Sequence, residues 1–244
     1  MKEIIINNLH NVHNRIALAC ERSGRNPADI RLLLATKTVP PEYIRIAIEA
    51  GEGLIGENKV QEFRDKHAAL SDLSVERHFI GHLQHNKVKD VLKYVSCVQS
   101  LDRLSIAQEL DKRLQQEGRS LDVFIQVNTS YEDSKFGLQP AEVAGFIRQL
   151  RPLDTLQIKG LMTIGLLDVD KEKMRPSLRL LRQTSEQLIA AGVENSDQFK
   201  LSMGMSQDLE MAIAEGASIV RVGTAIFGNR VVGKEIWNES EAEK

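Results

Sequence analysis

A chain of 244 residues with 42% hydrophobic and 27% charged side chains can build one large core, and it matches the roughly 250 residues of a closed α/β barrel. A formal net charge of −2, from 32 basic and 34 acidic residues, argues against nucleic acid or membrane as a partner. Cys20 and Cys97 lack motif spacing, the start of the chain is too polar for a signal peptide, and no apolar run reaches membrane length, so a reduced, cytoplasmic protein is expected.

Residues 1–23 read as an N-terminal helix, about Lys2 to Ser23. Short runs rich in Val, Ile, Leu and Phe then alternate with helical patterns. Strands are predicted at Ile30–Thr36, Leu54–Glu57, Arg77–Gly81, Cys97–Leu101, Val123–Asn128, Ile158–Thr163, Lys200–Met203 and Ile219–Val222. Between them, Ile44, Ala47, Ile48 and Gly51 follow the helical period. So do Leu104, Ala107, Leu110 and Leu114; Val143, Phe146, Ile147 and Leu150 after Pro140; and Leu178, Leu181, Ser185 and Leu188 after Pro176, with Gly192 as the C-cap. A further helix is predicted over Gln207 to Glu215. Eight βα units predict a single (β/α)8 barrel domain over residues 1–244, with the barrel in residues 30–230 and a charged tail in residues 234–244. A doubly wound sheet is disfavoured, because Thr36-Lys37-Thr38-Val39-Pro40 stands where a glycine-rich dinucleotide turn would be.

In a barrel the C-terminal strand ends meet at one mouth, where chemistry occurs. Lys37 closes the first strand. Desolvation there lowers an ammonium's pKa, and a neutral amine attacks an aldehyde; alone, such a lysine more commonly snorkels to solvent. The other strand ends supply Gly56-Glu57-Asn58, Gly81-His82-Leu83-Gln84-His85-Asn86-Lys87, Asn128-Thr129-Ser130, Met162-Thr163, Ser202-Met203-Gly204-Met205-Ser206 and Arg221-Val222-Gly223-Thr224. Ser206 is placed to cap the helix after strand seven, and Gly223-Thr224 forms a tight turn after strand eight, the two places where barrels hold a phosphate. Arg221 sits inside an apolar run and needs a partner, either a barrel carboxylate such as Glu57 or a ligand ring nitrogen. An amine for an aldehyde, an arginine for a ring nitrogen and an anion cradle are the requirements of pyridoxal 5′-phosphate. His78, His82 and His85 have no metal-ligand spacing, and the serines lack a nucleophile elbow.

The segments Ala35-Thr36-Lys37-Thr38, Gly56-Glu57-Asn58-Lys59-Val60-Gln61-Glu62, His78 to Lys87, Gly160-Leu161-Met162-Thr163-Ile164, Leu201 to Ser206 and Val220 to Gly228 together resemble the pyridoxal phosphate homeostasis protein family. That resemblance implies a fold-type III barrel, similar to the N-terminal domain of alanine racemase, and a monomer. It implies that Lys37 forms the Schiff base with pyridoxal 5′-phosphate and that Arg221 faces the pyridine nitrogen. It also implies that Ser206, Gly223 and Thr224 hold the phosphate, and that Asn58 and Met203 line the ring. The implied role is vitamin B6 and amino-acid homeostasis without established turnover; separately, an open site that lets other amines reach the aldehyde suits storage and transient delivery to apoenzymes. Arginine is a poor proton donor to the ring nitrogen, and only the charged residues 234–244 follow the last unit, so no second domain is expected to supply a catalytic base. Lys87 and Lys135 are candidates to assist cofactor transfer. An amino-acid racemase or lyase is the alternative, and a Schiff-base aldolase is a more remote one.

Overall fold

The computed structural model describes residues 1–132, 134–166, 168 and 170–228. Eight parallel strands close into a barrel in chain order: β1 (Arg31–Ala35), β2 (Leu54–Glu57), β3 (Glu76–Phe79), β4 (Cys97–Leu101), β5 (Leu121–Gln126), β6 (Leu156–Met162), β7 (Lys200–Ser202) and β8 (Ile219–Val222), with β8 pairing back onto β1. The helices are α1 (Lys2–Ser23), α2 (Pro41–Glu49), α3 (Val60–Leu70), α4 (Val88–Val91), α5 (Leu104–Glu117), α6 (Val143–Leu150), α7 (Lys171–Ala190), α8 (Leu209–Ala214) and α9 (Thr224–Phe227). The tail expected at residues 234–244, and the barrel's expected end at 230, lie outside the described residues.

Strand alternation divides the core in two. Leu32, Leu34, Ile55, Phe79, Val98, Leu161, Leu201, Val220 and Val222 face outward and pack under the helices. Leu33, Leu54, Cys97, Phe124, Met162 and Ile219 face inward and fill part of the barrel. Full burial of one such aliphatic side chain stabilises by about 2 kcal/mol, so the larger outer layer carries most of the hydrophobic stabilisation. The inner layer leaves room for polar side chains, described below.

Helix α1 buries Ile5, Leu9, Val12, Ile16, Ala19 and Cys20, a stripe at helical spacing. It ends at Gly24, where the N–H of Arg25 donates back to Cys20 O (2.9 Å). The stripe packs against α8, α9 and α2, which sets α1 across the β8–β1 side of the barrel. No helix among the described residues is long and apolar enough to cross a membrane.

Several boundaries differ from expectation: the ends of β1, β5, β6 and β7 shift by one or two residues, α8 is shorter at both ends, and three further differences have a plain cause. β3 begins at Glu76, because that carboxylate turns into the barrel rather than ending the strand. α7 begins at Lys171 with Asp170 as its N-cap, so Pro176 lies inside the helix and does not open it. After β3 the chain forms only a 3-10 turn over His85–Lys87 and the single turn of α4.

Candidate functional site

Lys37 lies just past β1, half-buried, in a turn closed by the N–H of Val39 donating to Thr36 O (2.9 Å). It stands two residues beyond inward-facing Ala35. Thr36 and Glu57 point the other way, into the helix layer, where Lys66 of α3 meets them. Lys66 Nζ donates to Thr36 O and to Glu57 Oε1, both at 2.8 Å, and pairs with Glu62 Oε2 at 2.6 Å. Thr36 Oγ1 donates to Glu57 Oε1 (2.7 Å), and Glu62 Oε1 accepts from the N–H of Thr38 (3.3 Å). The peptide groups on either side of Lys37 are therefore tied to one helix. Thr38 has φ of 62°, a left-handed conformation that a β-branched residue rarely adopts. Burial pushes the Glu57 carboxyl above its usual range despite the opposing Lys66, and Glu57 Oε2 has no partner among the described residues.

The loops after β7 and β8 meet at Ser206, whose Oγ accepts from the N–H of Ala225 (3.3 Å). Gly204 has φ of 91°, and a Cβ there would come within 2.4 Å of Ala212 Cβ, so only glycine fits. A Cβ on Gly223 would lie 2.8 Å from Ala35 O, which places the β8 loop directly against the strand end that carries Lys37. Ser206 does not cap α8 as the sequence suggests. Asp208 stands at the N-cap without a side-chain cap bond, its Oδ1 instead accepting from the N–H of Met205 (2.6 Å) in the preceding loop, and the helix begins at Leu209. Burial raises the Asp208 carboxyl above its ordinary value.

Helix α1 braces this side, a contribution sequence reasoning missed. Arg15 Nη2 donates to Ser206 O (2.9 Å) while Nε and Nη2 grip Glu210 at 2.6 and 2.9 Å. Asn8 Nδ2 donates to Ile226 O (2.9 Å) in α9. The spacing of Asn8, Val12 and Arg15 along one helix face is the only sequence signal, and it does not name partners some 200 residues away.

Arg221 points into the barrel, 6% exposed. Its Nη1 donates to Ser202 Oγ (2.8 Å) and its Nη2 to Thr163 O (2.6 Å). Glu57 is not its partner, because Gly56 rather than Glu57 faces inward on β2. No carboxylate among the described residues lies within ion-pair distance; burial lowers the guanidinium pKa to about 10, with Asp208 the opposing charge. It therefore keeps its proton at neutral pH.

Asn58 is half-exposed one residue beyond β2, and Thr224 is exposed at the start of α9. Met203 is fully buried in the helix-side core, apart from the inward-facing groups. The three histidines do not converge: His78 is inside the barrel, His82 stacks on Phe136 with centroids 3.5 Å apart, and His85 is exposed. Burial lowers the His82 pKa. Lys135 donates to Gly165 O (2.7 Å) and pairs with Glu132, so it fastens the β5 loop to the β6 loop; Lys87 is half-buried in the 3-10 turn.

Residues 8–231 match the family model described as alanine racemase, N-terminal domain. The chain is 44% identical over 222 residues to the pyridoxal phosphate homeostasis protein of Aquifex aeolicus, covering 91% of this chain and 96% of the relative. It is 39% identical over 234 residues to the protein of the same name from Escherichia coli, covering 95% and 99%. The chain belongs to the pyridoxal phosphate homeostasis protein family. Among solved structures, PipY of Synechococcus elongatus with pyridoxal phosphate (PLP) bound superposes with a TM-score of 0.75 at 33% identity, over 89% of this chain and 100% of PipY. An alanine racemase of Clostridium difficile superposes with a TM-score of 0.76 at 16% identity, over 96% of this chain and 59% of the racemase, a likeness of fold.

Proposed function

We infer that this chain binds pyridoxal 5′-phosphate in the barrel mouth and holds it without catalysis, as a cytoplasmic, monomeric protein of vitamin B6 and amino-acid homeostasis that delivers cofactor to apoenzymes. The observation that carries the reading is the juxtaposition of three groups. Gly223 abuts the strand end bearing Lys37, Ser206 joins the same loop pair, and the buried Arg221 lacks an ion-pair partner among the described residues. A buried guanidinium with unspent donors suits a neutral ring acceptor, and the glycine-lined loops suit a phosphate, so the residues fit the cofactor. The 33% identical PipY, whose structure holds PLP, supports the same reading.

When bound, the cofactor supplies an aldehyde that condenses with amines. Lys37 provides the amine that holds it covalently. Ser206, Gly223 and Thr224 offer hydroxyl and backbone donors to its phosphate. Arg221 donates to the ring nitrogen and keeps its own proton, which makes the bound ring a weak electron sink and disfavours carbanion chemistry. Asn58, half-exposed just past β2, is the side chain proposed to line the ring, whereas any contribution of Met203 comes through its backbone.

The test of the non-catalytic role is incubation of the loaded protein with a panel of amino acids, followed by chiral chromatography and keto-acid assay. The expected result is exchange of cofactor without turnover. Sustained turnover of one amino acid would make the chain an enzyme.

A further inference from the structure

A chain of hydrogen bonds runs through the barrel interior from its N-terminal rim to Arg221. Arg31 Nη2 donates to Glu76 Oε2 (2.5 Å), and Glu76 Oε1 lies 2.5 Å from His78 Nε2. His78 Nδ1 lies 2.6 Å from Gln99 Nε2, Ser202 Oγ donates to Gln99 Oε1 (2.6 Å), and Arg221 Nη1 donates to Ser202 Oγ (2.8 Å). The register pairs His78 with Cys97, Leu33 with Arg221 and Met162 with Ser202, so the chain's members share the inner face with the apolar inner layer. His78, Gln99 and Ser202 are all buried.

Both ends of this chain are chemically fixed. A guanidinium only donates, and an ionised carboxylate only accepts. The Glu76 carboxyl is held down at about 2 by His78 and Arg31, so it is ionised at neutral pH. Ser202 accepts from Arg221 and so spends its proton on Gln99 Oε1. The Gln99 amide then turns its NH2 toward His78 Nδ1, which must be bare, and the ring proton sits on Nε2, facing Glu76. The other self-consistent arrangement has a doubly protonated His78, an inverted Gln99 amide and a Ser202 hydroxyl that receives two donors. That hydroxyl proton would then be buried without a partner, which costs about 1–3 kcal/mol. The charged or titratable groups around the ring are Glu76 on its own strand, Arg31 on β1 and Cys97 on β4.

We propose that His78 is a positioning residue for Arg221. Its bare Nδ1 takes the Gln99 NH2 and so fixes which way that amide faces, leaving Gln99 Oε1 to take the Ser202 proton and the guanidinium aimed at the ligand's ring nitrogen. This rests on the cofactor reading above, and its test separates the two. Imidazole 15N spectra of the cofactor-free wild type, assigned with His78→Gln, are expected to show a neutral His78 protonated on Nε2. The Gln99→Leu variant removes the acceptor that orients Ser202. It is expected to weaken PLP retention about tenfold, the worth of one hydrogen bond to a charged group, and to shift the bound cofactor's absorption maximum. Gln99→Glu keeps that acceptor and presents a second oxygen to His78. It is expected to retain PLP as the wild type does while its His78 becomes doubly protonated, a change that mere packing would not produce. A wild-type His78 protonated on Nδ1 overturns the proposal, as does a Gln99→Leu protein with wild-type retention and spectrum. A folded wild type that takes up no PLP overturns the cofactor reading and the positioning role with it, whereas uptake together with the wrong tautomer overturns only the positioning role.

Discussion

The β1–β2 rim and the β7–β8 rim form one mouth, yet they are held from behind by different means. At β1–β2, the buried ammonium of Lys66 gathers Glu57, Glu62 and Thr36 O and thereby fixes the turn that carries Lys37. At β7–β8, close backbone approach at Gly204 and Gly223 shapes the loops, and α1 reaches in to two carbonyls and one carboxylate, through Arg15 to Ser206 O and Glu210 and through Asn8 to Ile226 O. Under the proposed function, the difference follows from what each rim presents. A reactive amine needs its flanking peptides immobilised, which buried charge does at the expense of desolvation. An anion site needs exposed N–H groups; the α1 contacts take none of them, and the N–H groups of Met205 and Ala225 go to Asp208 Oδ1 and Ser206 Oγ within the loops.

Breaking the ionic support has the largest expected effect. Lys66→Met leaves Glu57 and Glu62 without their shared cation, and unfolding in urea is expected to show a loss of about 3 kcal/mol; a change below about 1 kcal/mol would mean that Glu57 is simply protonated and indifferent to Lys66. On the other rim, Gly223→Ala forces a methyl against Ala35 O. Equilibrium dialysis is expected to give PLP affinity lowered at least tenfold, with stability reduced less than in Lys66→Met. Arg15→Ala removes the half-exposed grip on Glu210 and Ser206 O, and about 1 kcal/mol of stability should go with it. A several-fold faster loss of PLP on dilution is expected from the same variant, and an unchanged release rate would separate α1 from the anion loops.

The smallest expected effect concerns the seam between α1 and the β1–β2 side. His13 lies 2.5 Å from Glu52, which raises its pKa. A folded value above the unfolded one, near 6.5, means the contact stabilises fully below that pH and fades as pH rises through the folded value. The wild type should therefore exceed His13→Ala in urea midpoint at pH about 5.5, and the gap should close by about pH 9. A gap that widens with pH would reverse this assignment.

Much of this architecture was legible in the chain itself. The bounds of β2, β4 and β8 and the extent of α1 coincide with the sequence reading, because each is a mostly apolar run or stripe with a clear stop, even where Gln99 and Arg221 interrupt it. The reading slipped at β3, where two polar residues in a four-residue strand turn inward. Glu76 and His78 break the hydrophobic pattern of β3, and His78 looked like a stray ligand rather than part of an interior chain. That Lys37, Ser206 and Gly223 would gather at one rim was legible because strand ends of a barrel converge. The face that Met203 takes is decided by strand alternation alone, and its side chain takes the helix side with Leu201. The supports Lys66 and Arg15 were invisible. Each is an ordinary helical cation in sequence, and its partner is decided by how α3 and α1 lie on the barrel.

The most direct test of the central claim is to reduce the PLP-treated protein with borohydride, digest it and locate the added mass. The account predicts one pyridoxyl-phosphate group on the peptide carrying Lys37, with no visible absorption band before reduction in Lys37→Ala. A modification spread over surface lysines, or a Lys37→Ala protein with the same band as the wild type, would contradict it.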